Sequence, residues 1–307
     1  MAIEISILGT SAAVPTSRRN LSALALRGEN DRGWILFDCG EATQHRLREN
    51  GISPCKIEKI FITHLHGDHI YGIFGLLAAK GMNGCPGKVQ IYSPEGGREM
   101  IECVMRLSSL HLPFDIEFTT IRGEKRYDFG DYSIESVPLS HSIECYGYVY
   151  IQSHRPGKLD VDRLKRAGVR PGPLYGKLKE GMDITLENGL ILHSKDFVGE
   201  PSRGKTIIIG GDNDSPELFS RYTGADMMIH EATYTKKDFE KLEKRYRHST
   251  AEKVALTASE MGVKKLVLTH ISPRYDTPER EKELLDEASI HYHGELILAR
   301  DSMKLHI

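Results

Sequence analysis

The stretch Phe61-Ile62-Thr63-His64-Leu65-His66-Gly67-Asp68-His69 decides how the chain is to be read. The run over residues 59–63 reads as a buried strand, and it stops where three imidazoles and a carboxylate crowd into six residues. On an extended backbone His64 and His66 project to the same side, so both can meet one cation. Gly67 permits a sharp turn that swings Asp68 and His69 toward a second. These six residues predict a metal site with two positions. A His-rich surface turn is the plain alternative, but four ligand-type side chains at the mouth of an apolar strand are costly to keep without a partner.

Outward from this point, the composition is that of an ordinary soluble protein: 307 residues, 39% hydrophobic and 27% charged. Such a chain can bury a large core. No apolar run approaches the ~20 residues of a membrane span. Met1 leads straight into an alternating strand rather than a signal peptide, so the expected location is the cytoplasm. Five cysteines (Cys39, Cys55, Cys85, Cys103, Cys145) never form C-x-x-C, and they read as reduced packing residues. Net charge is only −2, so a polyanion must be drawn by a local basic patch.

Residues 3–8 predict a strand, followed by a loop of small residues that ends in Arg18, Arg19 and Asn20. Free backbone N–H groups there, with the two arginines, could hold a phosphate or carboxylate; a solvated loop fits as well. Residues 21–26 and 34–37 predict a hairpin closed by Asp38, which either orients a metal-bound His or is a plain turn aspartate. Helices are expected over 42–50, 70–80, 96–108, 237–247 and 251–261, the last capped by Thr250. Residues 154–181 break the pattern, with eight Lys or Arg against three acids among repeated Pro and Gly. This predicts a flexible basic arm inserted in a single domain spanning 1–307, suited to a phosphate backbone; a solvated insertion is the alternative.

Five apolar strands end in His or Asp: at His64, His141, Asp212, His230 and His270. Each has a dull explanation alone. In an α/β architecture, however, strand ends form one rim, where sites are built.

The H-x-H-x-D-H motif at His64 to His69, followed in order by His141, Asp212 and His270, resembles the metallo-β-lactamase superfamily. Within it the likeness is to the ribonuclease Z family, over nearly the whole length. The resemblance implies an αβ/βα sandwich and two zinc ions per subunit. His64, His66 and His141 would hold the first, Asp68, His69 and His270 the second, with Asp212 bridging. It also implies that Asp68 accepts the proton of the nucleophile and that His248, positioned by Glu231, assists the leaving group. Pro15 to Asn20 is similar to the family's phosphate-contacting loop, with Ser17 where a basic residue is usual, so Arg18 would substitute. Gly172-Pro173 resembles the motif of the family's exosite arm, in which Lys177 and Lys179 would meet RNA. The activity implied is endonucleolytic removal of the 3′ trailer of precursor tRNA by a homodimer that uses neither a membrane nor a nucleotide cofactor. A small-molecule hydrolase of the same superfamily would use the same metals without need of the arm, and a 3′-exonuclease is the nearer rival.

Overall fold

Short apolar strands joined through helices build two seven-stranded sheets in the computed structural model, which describes residues 2–154, 157–186, 188–201, 203–244 and 246–307. The first sheet runs in the order Lys304–His306, Glu4–Gly9, Ala23–Arg27, Trp34–Phe37, Ile57–Phe61, Val89–Ser93, Ile116–Thr120. Its last four strands are parallel. The second runs Glu295–Leu298, Lys265–Thr269, Met227–Glu231, Thr206–Ile209, Tyr146–Gln152, Tyr132–Pro138, Lys125–Asp128, and its first four are parallel. Parallel strands need crossover helices and are covered on both faces, which is why Ile207, Ile208, Met227, Met228, Leu266 and Val267 are wholly buried.

The sheets meet through an aromatic seam. Phe61 stacks on Tyr92 with ring centres 4.2 Å apart, while Tyr148 of the second sheet lies edge-on to Phe61 at 5.2 Å and 5.7 Å from Phe37. The Tyr148 hydroxyl donates to the carbonyl of Ile62, so the seam also fixes the chain just before the histidine cluster. The helix Ile73–Met82 packs Ile73, Leu76 and Leu77 on the outer face of the first sheet. Ala251–Glu260 starts as expected at Thr250, whose hydroxyl accepts the amide of Lys253 at 3.2 Å. Among the described residues no helix is long and apolar enough to cross a membrane.

Three expectations change. The helix predicted over 237–247 is a single short piece, Lys236–Glu240. Beyond it the backbone carbonyl of Arg247 is drawn to His141, a tertiary demand that overrides a weak helical preference. Cys55 and Cys85 are not separate packing thiols; they form a disulfide with Cα atoms 5.0 Å apart. Cys39, Cys103 and Cys145 are free, as expected. Finally, the basic segment folds. Asp128–Ser133 and Ile151–Lys205 form a compact unit apart from the rest of the chain, with Leu164, Val169, Leu178, Ile184, Leu192 and Phe197 as its own small core. It contains the helices Val161–Arg166 and Pro173–Lys179, and Lys158, Arg163, Lys165, Arg166, Arg170, Lys177 and Lys179 are exposed around that core. Arg155 and Pro156 of the predicted arm lie outside the described residues.

Candidate metal centre

The strand Ile57–Phe61 delivers His64 and His66, and the turn Gly67–Ile70 delivers Asp68 and His69. Gly67 makes that turn for a reason other than the one expected: it is not among the residues of positive φ, but a Cβ there would stand 2.3 Å from the Tyr71 ring. From the second sheet, the ends of Tyr132–Pro138, Thr206–Ile209 and Lys265–Thr269 deliver His141, Asp212 and His270. All seven donors converge.

Two donor sets share Asp212. Its Oδ1 lies 3.4 Å from His69 Nε2 and 3.3 Å from His270 Nε2, and both of those nitrogens lie 3.5 Å from Asp68 Oδ2. Its Oδ2 faces His64 Nε2 at 3.8 Å and His141 Nε2 at 3.9 Å, and His141 Nε2 is 3.3 Å from His66 Nδ1. Tetrahedral ligands ~2.0–2.1 Å from one cation stand about 3.3–3.4 Å from each other; the set around Oδ1, at 3.3–3.5 Å, comes close to this, while the separations from Oδ2, at 3.8 and 3.9 Å, are wider. His64 Nε2 is buried with no hydrogen-bond partner, a state that a metal bond relieves. These nitrogens and carboxylate oxygens fit a divalent cation in each set.

Behind the donors, other groups fix the rings. Asp38, at φ 57°, accepts the Thr63 amide at 2.7 Å, the Thr63 hydroxyl at 2.9 Å and His69 Nδ1–H at 2.7 Å. Thr63 Oγ1 in turn accepts His64 Nδ1–H at 2.9 Å, so one carboxylate orients an imidazole of each set. His141 Nδ1–H donates to the carbonyl of Arg247 at 3.1 Å, and Arg247 Nη1 returns a bond to the carbonyl of His141 at 3.0 Å. His270 Nδ1–H meets Thr233 Oγ1 at 3.1 Å. Burial, then the charge of His69, holds His64 well below the usual imidazole range, which favours the neutral, ligating ring. Burial also opposes charge on His69, but Asp212 and Asp38 outweigh it and hold that ring well above the range. The attraction that places a proton there equally favours a metal cation.

Beside the sets, His248 Nδ1–H donates to Glu231 Oε1 at 3.0 Å, and Thr233 Oγ1 donates to Glu231 Oε2 at 2.6 Å. Burial works against a charged His248, yet the Glu231 carboxylate prevails and its pKa is pushed up to about 9. His248 Nδ1 also lies 3.9 Å from Asp212 Oδ2, but Glu231 already engages that nitrogen. Thr233 is a residue whose role sequence reasoning missed; its place two residues after Glu231, just past the end of that strand, was the available signal. His230 turns away, its Nδ1–H donating to the Glu231 carbonyl at 2.8 Å and its Nε2 accepting from Asn213 at 3.3 Å.

The loop after the first strand differs from expectation. The amides of Thr10, Ser11, Ala12 and Val14 all donate within the chain, and that of Ala13 donates to Asp68 Oδ2 at 2.9 Å, so these N–H groups are not free for a phosphate. Arg19 is 2% exposed and bonds Glu281 at 2.7 Å, the Ala299 carbonyl at 2.7 Å and Thr10 at 2.7 Å. Asn20 is also buried, its side chain donating to the Glu41 carbonyl at 2.8 Å. Arg18 alone of the three reaches solvent, with one edge on Glu281 at 3.2 Å. Gly172 and Pro173 open the helix Pro173–Lys179 of the second unit, which bears Lys177 and Lys179.

Over the donors opens a cleft of about 970 Å³, lined by His66, Asp68, His141, Asp212, His248 and His270 among others. Donors of this kind on the edges of two packed mixed sheets define a metal-dependent hydrolase of the metallo-β-lactamase fold. A family model described as Anti-Pycsar protein Apyc1 matches residues 3–149, less than half of the chain. The short form of human tRNase Z is 27% identical with a TM-score of 0.68, and the match covers 98% of both chains. The metallo-β-lactamase fold protein YhfI of Bacillus subtilis has a TM-score of 0.66 at 16% identity, over the full length of both. Ribonuclease Z of Bacillus cereus is 43% identical over 290 residues, 93% of this chain and 94% of that one. The chain belongs to the ribonuclease Z family.

Replacing Asp38 by Ala is expected to lower metal affinity ~10–100-fold, read by competition with a chromogenic chelator, while the fold persists. Arg19→Ala is expected to destabilise more than Arg18→Ala in urea unfolding, because it removes the buried partner of Glu281 and leaves that carboxylate only the exposed Arg18 and Arg300, whereas Arg18→Ala costs under ~1 kcal/mol. Burial raises the Glu281 pKa, but Arg19 overcomes this and holds it below the ordinary 4.5. A depressed folded pKa makes this stability present above the unfolded value and lost as pH falls through the folded one.

Proposed function

We propose that this chain is an endoribonuclease that removes the 3′ trailer from precursor tRNA, leaving a 3′-hydroxyl on the tRNA. The observation that carries the reading is the pair of donor sets sharing Asp212 beside the Glu231–His248 dyad, in a chain of this family. We read the metal as zinc, two ions per subunit, one in each set. Such a pair, when bound, neutralises charge on a phosphodiester and lowers the pKa of water to ~7.

The chain's own residues supply the rest. Asp68, steadied by the Ala13 amide, orients the attacking water and accepts its proton. As water adds to phosphorus the bond to the 3′-oxygen breaks, and that oxygen needs a proton. His248 is the donor: Glu231 occupies its Nδ1 and leaves Nε2 for the leaving group. Thr233 keeps the Glu231 carboxylate turned toward His248.

The folded body of the substrate would be gripped by residues other than those of the chemistry. Exposed Lys177 and Lys179, with their basic neighbours, suit the phosphates of an A-form helix whose deep groove side chains cannot read, and exposed Arg18 suits a further phosphate. The family likeness supports a homodimer in which the basic unit of one subunit serves the other's centre. It also supports a cytoplasmic location; the Cys55–Cys85 bond is the observation that pulls against this, since such bonds are uncommon in reducing compartments.

Incubation with a 3′-extended precursor tRNA, with and without chelator, tests the reading: a metal-dependent cut mapped to the tRNA 3′ end is expected, and an intact trailer after metal loading sinks it. His248→Ala is expected to slow cleavage ~10²–10⁴-fold with bound metal unchanged, measured by plasma mass spectrometry. Lys177→Ala with Lys179→Ala is expected to raise KM for precursor tRNA and leave hydrolysis of a small phosphodiester as it was; equal losses on both substrates would refute the division between grip and chemistry.

A further inference from the structure

The chemistry above uses the floor of the cleft and leaves its walls unexplained. Among the described residues, Tyr71 and Tyr246, 57% and 51% exposed, are the only Phe, Tyr or Trp side chains that stand exposed rather than buried or half-buried, and both line this cleft. Large aromatic surfaces are ordinarily buried, so two left bare at one metal centre point to a ligand that covers them.

Each ring is held in place. Tyr71 follows the turn that carries Asp68 and His69, and its ring lies against Gly67, where a Cβ would meet it at 2.3 Å. Tyr246 stands two residues before His248 on the segment tied to His141 through Arg247, and Lys244 Nζ sits 5.2 Å from its ring centre. The two rings thus stand on walls contributed by different sheets. Besides the donors the cleft lining has one carboxylate, Glu41, against the cations Lys244 and Arg247. A site that draws an anion to metals and offers flat rings on either side matches a phosphodiester carrying a base at each end. Base–aromatic stacking is strong and tolerant of sequence, as a trailer of arbitrary sequence requires.

We propose that Tyr71 and Tyr246 are stacking platforms for the two unpaired nucleotides that flank the scissile phosphate, so that the cleft takes single-stranded RNA and selects against a paired end. This rests on the nuclease reading and adds to it the form of substrate admitted at the metals. The test is a cycle between enzyme and substrate. Precursor tRNAs with an abasic ribose immediately before or after the cut are compared with the intact precursor, using wild type, Tyr71→Ala, Tyr246→Ala and the two Phe variants, each with bound metal confirmed. Each Ala variant is expected to lose about 5- to 150-fold in kcat/KM on the intact RNA, and to lose little more on the abasic RNA whose missing base it would have stacked. The Phe variants are expected to keep the wild-type rate. Equal losses on intact and abasic substrates, Ala variants as fast as wild type, or Phe variants as slow as Ala would each overturn the proposal. A wild-type enzyme that leaves the intact precursor uncut would instead remove the nuclease reading itself.

Discussion

The metal centre can exist only while two sheets stay packed face to face, because each donor set is divided between them. His64 and His66 come from the first sheet and meet His141; Asp68 and His69 come from the first and meet His270; Asp212, from the second, belongs to both sets. The aromatic seam of Phe37, Phe61, Tyr92 and Tyr148 therefore has a chemical role as well as a packing one. Burial of these rings sets the separation of the sheets, and that separation sets the donor spacing. A cation held by either set would act in return as a cross-link between the sheets.

A second regularity concerns the imidazoles. His64, His69, His141, His248 and His270 each have Nδ1 engaged, by Thr63, Asp38, a backbone carbonyl, Glu231 and Thr233 respectively. Each partner fixes a ring rotation and leaves Nε2 as the working atom. His66 differs, with Nδ1 turned toward His141. The left-handed backbone at Asp38 and His270 shows where the chain bends to reach these positions, and such strain is characteristic of functional sites.

Much of this was legible in the sequence because it is local. The donors sit at strand ends, the strands are short apolar runs, and a cap such as Thr250 depends on its next three residues. What escaped depends on distant partners. Nothing near Arg19 announces Glu281, more than two hundred residues away, so a paired arginine in a loop looked like a phosphate ligand. Asp38 could be read two ways until Thr63 and His69 were seen around it. The helix predicted past Glu240 was lost to a contact between Arg247 and His141, and Tyr71 and Tyr246 acquire meaning only when the fold exposes them in one cleft. The basic segment was recognised by its charge and its breakers, but its small core is assembled from residues spread over more than thirty positions.

The bond between Cys55 and Cys85 closes a ring of backbone, and His64, His66, Asp68 and His69 all lie on that ring. A hoop of this size removes freedom from the unravelled chain worth about 3–4 kcal/mol in the chain-entropy account. Even when the sheets part, the hoop keeps four of the seven ligands within a short tether of one another.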